Sequence, residues 1–265
     1  MNYLHLFLCL VLCLSSSRSR NYPRHITRLT PKNKRYWRNR NNWSRGGWQV
    51  RIVSADGAFS CGGAYIAPLL VVTSAFCIQP FRYVLDQVSV ESIAYTNSDF
   101  DQFASIDTVY TPNDRNMTAG DIALVRLKSP LKGKLTEFIR LCRRKIRDDM
   151  NLTVMGYGRG KSEIQPTFTF SNRSLIVQVG ERCRHKGEML HKSTNFSFCV
   201  FHQDKQNKCH YDGGSPLIWE NELCGLVSWG PWCQMDSYPD FYIDIFKAKK
   251  YIQKTEDDIL CGELA

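Results

Sequence analysis

Ser215, His210, Asp212 and Asp121 are side chains that could between them supply a nucleophile, a base and an orienting acid, the set that acyl transfer requires. Three of them fall in one run, Cys209-His210-Tyr211-Asp212-Gly213-Gly214-Ser215-Pro216-Leu217. That closeness argues against the chemistry, because His210 is too near Ser215 along the chain to face it across a cleft as a base. Asp121 opens an apolar run, Ile122-Ala123-Leu124-Val125. Its carboxylate should be buried, and a buried carboxylate without partners costs several kcal/mol, roughly, or titrates upward. The sequence calls for no metal and no cofactor.

The elements that must position these residues are short and β-rich. From residue 46 the runs are 49–53, 64–67, 70–73, 88–93, 106–110, 122–127, 152–156, 175–179, 196–200, 216–219, 223–229 and 241–245, with turn residues between them. Many short strands without alternating helices predict an all-β protein of barrels or sandwiches. One helix is expected, over 246–257, rich in Lys, Ala and Gln with Tyr251 and Ile252 facing inward. There are no internal repeats.

The N-terminal region differs. An apolar run over 4–14, broken only by His5, ends in Ser15, Ser16, Ser17 and Ser19. Residues 1–19 read as a signal peptide, cleaved after Ser17 or Ser19. An uncleaved anchor is the competing reading, although the run falls short of the ~20 apolar residues that span a bilayer. No later segment is apolar enough to cross a membrane, so a secreted, extracellular chain is expected. Residues 1–45 hold ten Lys/Arg and no Asp/Glu, which leaves 25 basic and 25 acidic side chains for the remainder. The net charge of +10 therefore belongs to the N-terminal segment and not to the folded body. Residues 20–45 form a basic tail, disordered or a propeptide, in which Arg35, Arg38 and Arg40 are interleaved with Tyr36, Trp37 and Trp43. Such a tail would attract heparan-like glycosaminoglycan, nucleic acid without sequence specificity, or anionic lipid. A second cluster, Arg140, Arg143, Arg144, Lys145 and Arg147, precedes Asp148 and Asp149 and reads as a solvated connection or a docking patch.

Five segments carry a family resemblance. They are Gly47-Trp48-Gln49-Val50; Cys61-Gly62-Gly63-Ala64-Tyr65-Ile66-Ala67-Pro68 followed by Val71-Val72-Thr73-Ser74-Ala75-Phe76-Cys77; Asp121 to Leu127; Cys209 to Leu217; and Gly225-Leu226-Val227-Ser228-Trp229-Gly230. In this order they resemble the trypsin/chymotrypsin family of serine proteases over about residues 46–258. The resemblance implies two six-stranded antiparallel Greek-key barrels with a C-terminal helix, and one domain over 46–265.

The departures are chemical. In the family Ser attacks, His takes its proton and Asp orients the His. The motif gives the Ser position to Gly213 and the His position to Phe76; Asp121 alone is kept. Tyr211 stands where the family has an oxyanion-hole Gly, and its bulk is expected to crowd the hole. Ser215 falls on a Gly position beyond the elbow, and His25, His185, His191 and His202 fall in segments that do not face the site in this fold. The family's activating amine would salt-bridge Asp212, but no Ile-Val-Gly-Gly precedes Gly47, so Asp212 either stays in a zymogen-like loop or takes another cation. The specificity pocket, vestigial or still able to hold a peptide, would be lined by Asn207, Ser228, Gly230 and Asp240. By resemblance Ser228 and nearby backbone N–H groups also bond Asp121.

The resemblance also implies the bridges Cys61–Cys77, Cys183–Cys199 and Cys209–Cys233, and an apolar pair, Leu152 with Trp219, where a fourth common bridge would be. Cys142, Cys224 and Cys261 remain; the expectation is Cys142–Cys261 with Cys224 free in a core strand, and the competing one is a bridge between chains. Asn42, Asn116, Asn151, Asn172 and Asn195 lie in glycosylation sequons.

Function follows as an expectation. A non-catalytic serine protease homologue, of the kind common in insect haemolymph and seminal fluid, would act by binding other secreted proteins, proteases or receptors among them. It would serve as a cofactor, decoy or regulator in a protease cascade or in the reproductive tract. The alternatives are a polyanion-binding protein acting through its tail, and an active serine endopeptidase that works by unusual means.

Overall fold

The first sheet combines alternating strands with strands buried on both faces. In β1 (Gln49–Ser54) Val50 and Ile52 are fully buried while Arg51 and Val53 are half-buried. β1 pairs antiparallel with β2 (Ser60–Ala67) and with β4 (Val88–Ser92). With β3 (Leu70–Thr73), β5 (Phe103–Tyr110) and β6 (Ala123–Leu127) it closes a barrel in the order β1-β2-β3-β6-β5-β4. Its interior holds Val50, Ile52, Val71, Val90, Ile106, Val125 and Leu127.

The second sheet is built from β7 (Arg140–Leu141), β8 (Asn151–Arg159), β9 (Phe168–Ile176), β10 (Ser197–Val200), β11 (Pro216–Trp219), β12 (Glu222–Val227) and β13 (Asp240–Asp244). Its order is β10-β13-β12-β11-β8-β9, with β7 lying parallel to β12. A core of Leu152, Val154, Val177, Phe198, Leu217 and Tyr242 fills it, with the half-buried Trp219 packed against it. Leu152 and Trp219 thus share one apolar core, as the resemblance implies. A third cluster, Ala64, Val72, Ile122, Leu124, Leu223, Leu226 and Ile243, draws residues from both sheets and so joins them.

The computed structural model describes residues 46–57, 59–92, 103–112, 120–131, 137–159, 168–177, 196–200, 211–228 and 240–260. The chain divides into Arg45–Gln253, which holds everything above, and a second unit, Met1–Ser44 with Lys254–Ala265, of which Lys254 to Leu260 is described. The architecture is the expected trypsin-like one, mostly β with barrels and a C-terminal helix. That helix, α2 (Ile245–Leu260), begins where the buried Asp244 accepts the Lys247 N–H at 3.2 Å, an N-cap bond. Ile245, Ala248 and Ile252 pack into the joining cluster. The strands at 60–67 and 103–110 run longer than the apolar pattern indicated, the strand at 168–176 overlaps the expected 175–179 only at its last two residues, and β7 carried no periodic signal at all.

Candidate functional site

The site is assembled from four pieces of backbone that the joining cluster and its neighbours bring together. α1 (Ala75–Ile78) follows β3 directly, capped by Ser74, whose hydroxyl accepts from the Cys77 N–H at 3.2 Å. Asp121 sits one turn of chain before β6 and is buried. The loop 211–215 leads into β11, and Ser228 directly follows β12.

Asp121 is the hub. Ser74 Oγ donates toward both of its oxygens, at 2.8 Å to Oδ1 and 2.9 Å to Oδ2. The Phe76 N–H donates to Oδ1 at 2.7 Å, and Ser228 Oγ donates to Oδ2 at 2.6 Å. The near-equal Ser74 distances show one hydroxyl shared between the two oxygens. A carboxylate has about four acceptor positions, and three donors meet it here, with the Ser74 hydroxyl shared between both oxygens. The sequence reading foresaw Ser228 and a backbone donor. It missed Ser74, whose hydroxyl could have been suspected from its place two residues before Phe76 at a helix start.

Phe76 is half-buried in α1 and offers Asp121 only its backbone. Gly213 faces α1: a Cβ placed there would lie 3.1 Å from Cys77 Cβ and 3.8 Å from Ser74 Cβ. The loop that carries it is held to β2 and β12, because the Gly62 N–H donates to the Gly213 carbonyl at 2.9 Å and the Gly214 N–H to the Val227 carbonyl at 2.7 Å. Gly214 has a φ of 83°, and a Cβ there would collide with the Gly62 carbonyl and the Thr73 hydroxyl, so glycine is obligatory. The structure therefore brings Phe76, Asp121, Gly213 and Ser228 to one place.

Ser215 is fully buried and points away from that place. It packs against Gly62, where a Cβ would come within 2.7 Å of its hydroxyl, and against Gly156, where a Cβ would come within 2.8 Å of its own Cβ. Its Oγ is buried without a hydrogen-bond partner. Tyr211 is half-buried. Its ring packs onto the second-sheet core, beside Gly156. Asp212 is half-buried, and its N–H donates to the Tyr157 carbonyl at 2.8 Å.

Two disulfides are described. Cys61–Cys77 ties β2 to α1 beneath the site. Cys142–Cys224 is the other, which corrects both the expected Cys142–Cys261 bridge and the free Cys224. The physical reason is β7: its parallel pairing with β12 lays Leu141 beside Leu223, and the next residue on each strand is a fully buried cysteine. Asp240 opens β13. Asn151 is an exposed strand residue, and Asn172 lies within β9. Asn207, Gly230, His210, Cys183, Cys209, Cys233, Asn42, Asn116, Asn195 and the tail cations Arg35, Arg38 and Arg40 lie outside the described residues, as do the signal and tail segments. Cys199 is described only in the backbone of β10. Among the described residues no helix is long and apolar enough to cross a membrane, and no group of three His, Cys, Asp or Glu is placed to hold a metal.

Comparison with known proteins agrees with this architecture. A family model described as Trypsin matches residues 37–252. Seminase of Drosophila melanogaster is 28% identical over 205 residues, covering 74% of this chain and 72% of that protein. Hypodermin-B of Hypoderma lineatum is 27% identical over 213 residues, covering 77% and 80%. Trypsin of Sarcophaga bullata is 24% identical over 220 residues, covering 80% and 85%. Among solved structures, a scabies mite inactivated protease paralogue superposes with a TM-score of 0.66 at 22% identity, covering 81% of this chain and 96% of that one, a likeness of fold alone. With most of its length matched by that family model, the chain belongs to the trypsin family of serine proteases.

Proposed function

We propose that this family member is a secreted, non-catalytic homologue that acts by binding other extracellular proteins, as a cofactor, decoy or regulator. The observation that carries the reading is the composition of the place where the family's motif puts its chemistry. Gly213 has no side chain there, and Phe76 has no atom that can take a proton. Losing nucleophile and base of such a unit costs about 10⁶ in turnover.

The neighbouring hydroxyls offer no substitute. Ser215 is fully buried between Gly62 and Gly156, so no carbonyl can reach its Oγ. Ser74 and Ser228 both spend their protons on Asp121. Asp121 itself is engaged by three donors from two segments, Ser74 and the Phe76 N–H at the start of α1 and Ser228 after β12, which suits a structural node better than an acid waiting to orient a base. Retention of the scaffold around an empty centre supports a surface that is used and a cleft that is not. The signal-like N-terminus supports export. A reproductive or protease-cascade setting is the process we favour for such a chain.

The test is covalent. A fluorophosphonate probe labels activated serines, and the full secreted chain should stay unlabelled under conditions that label trypsin. Labelling that disappears in Ser215→Ala would overturn the reading in favour of an active endopeptidase.

A further inference from the structure

We propose that segment 140–147 is a docking surface for a sulfated glycan chain, set on the folded body and separate from the N-terminal tail. The inference does not depend on whether the cleft is catalytic.

The segment alternates between inward anchors and outward cations. β7 pairs with β12, the Cys142 N–H donates to the Leu223 carbonyl at 2.9 Å, and Cys142 is bridged to Cys224. Ile146 is buried. Arg143 turns back on Glu222: its N–H donates to Oε2 at 2.9 Å and its guanidinium pairs with Oε1, so the buried Glu222 charge is neutralised locally. The anchors leave Arg140, Arg144, Lys145 and Arg147 exposed on a backbone that has little freedom left to lose. Binding a polyanion here would carry little ordering cost.

Arg144 shows how the surface is prepared. Its guanidinium carbon lies 5.0 Å from the centroid of the Trp219 ring. Stacking fixes the plane of the guanidinium and leaves its N–H groups at the edge, where the oxygens of a sulfate can be met two at a time. The exposed acids nearby, Asp148, Asp149 and Glu220, lie outside the run. Asp149 has a left-handed backbone, φ 64°, at the turn that leads into β8.

The chemistry favours a linear sulfated polymer over other polyanions. Four exposed cations within eight residues match closely spaced sulfates. No large exposed apolar side chain falls within the segment; Tyr83, Phe103, Phe138 and Phe246 all lie outside it, so the apolar anchor typical of a protein interface is missing. The Trp219 ring at the patch is covered by Arg144 and is not free to stack on a base.

The experiment uses the full chain and heparin, with dissociation constants measured across a sodium chloride series. Arg35→Gln/Arg38→Gln/Arg40→Gln removes the named tail cations, and Arg144→Gln/Lys145→Gln removes two patch cations. On the tail-substituted chain the patch pair should weaken binding about tenfold near physiological salt. The slope of log affinity against log salt should flatten by about 2, one counterion per cation, by analogy with nucleic-acid polyanions. Heparin stripped of its sulfates should bind at least tenfold more weakly. An unchanged slope and affinity in the patch variant would overturn the proposal, as would equal binding of desulfated heparin. If the pair melts early, Arg147→Gln serves in its place, with a slope change of about 1.

Discussion

Ser74 Oγ lies 2.8 Å and 2.9 Å from the two carboxylate oxygens of Asp121, occupying the space between them. The same hydroxyl accepts the Cys77 N–H as the cap of α1. One side chain thus fastens the buried acid to the start of the helix that carries Phe76. The arrangement explains how an acid whose usual imidazole partner is missing from the sequence remains buried: Ser74 is one of three donors that meet its carboxylate.

Ser74→Ala should therefore cost more than an ordinary surface cap. A hydrogen bond to a buried charge contributes about 1.5–3 kcal/mol, and the cap adds about 1 kcal/mol. Chemical denaturation should show a loss of roughly 2–4 kcal/mol with an unchanged m-value. A loss below about 0.5 kcal/mol would mean that Ser74 does not hold Asp121.

Ser215 and Gly156 should be coupled. A Cβ on Gly156 would press against the Ser215 side chain, so Gly156→Ala should destabilise by about 1–3 kcal/mol, the usual range for overpacking. Ser215→Gly opens that space, and the double variant should recover most of the loss, which a double-mutant cycle would read as a favourable coupling above 1 kcal/mol. Ser215→Ala alone should be neutral or stabilising, since it removes a buried hydroxyl that has no partner.

The α2 cap should make stability depend on pH. Burial raises the pKa of Asp244 above its ordinary 3.8, and the Lys247 and Phe246 amides and the Lys247 ammonium offset this only in part. The folded state then holds the proton more tightly than the unfolded state does. By linkage, this group's contribution to stability falls as pH rises from about 3.8 through the raised value, and is constant above it. Asp244→Asn keeps a capping oxygen and removes the ionisation. Thermal melts between pH 3.5 and 7 should show a smaller downward contribution in the variant; an identical pH profile would contradict the assignment.

How much of this was legible in the sequence depended on what kind of signal each residue left. The barrel strands around Val50, Ile52 and Leu217 could be read because alternation and the Gly-Gly turns are local patterns. The meeting of Phe76, Asp121 and Gly213 could be read because each sits in a motif. The partner of Cys142 could not: β7 is two residues long, too short for periodicity, and only its parallel pairing with β12 brings Cys142 to Cys224. The Ser74 bond was missed although its place at the start of α1 hinted at a cap; that the same hydroxyl also donates to Asp121 depends on contacts 47 residues apart in sequence.

The corrected bridge is directly checkable. Peptide mapping without reduction should recover Cys142 joined to Cys224, and no peptide joining Cys142 to Cys261. A loop of 82 residues is closed by it, so Cys142→Ala/Cys224→Ala should cost about 4 kcal/mol in the chain-entropy account.

The most direct measurement is turnover of peptide esters and amides by the purified full-length chain, compared with Phe76→His/Gly213→Ser and with the same pair in a Ser74→Ala background. The account predicts no hydrolysis above buffer by the natural chain. It predicts none by the pair, whose new imidazole would find Asp121 already engaged, and measurable hydrolysis only once Ser74 has released the carboxylate. Hydrolysis by the natural chain that vanishes on changing Asp121 or Ser215 alone would contradict it.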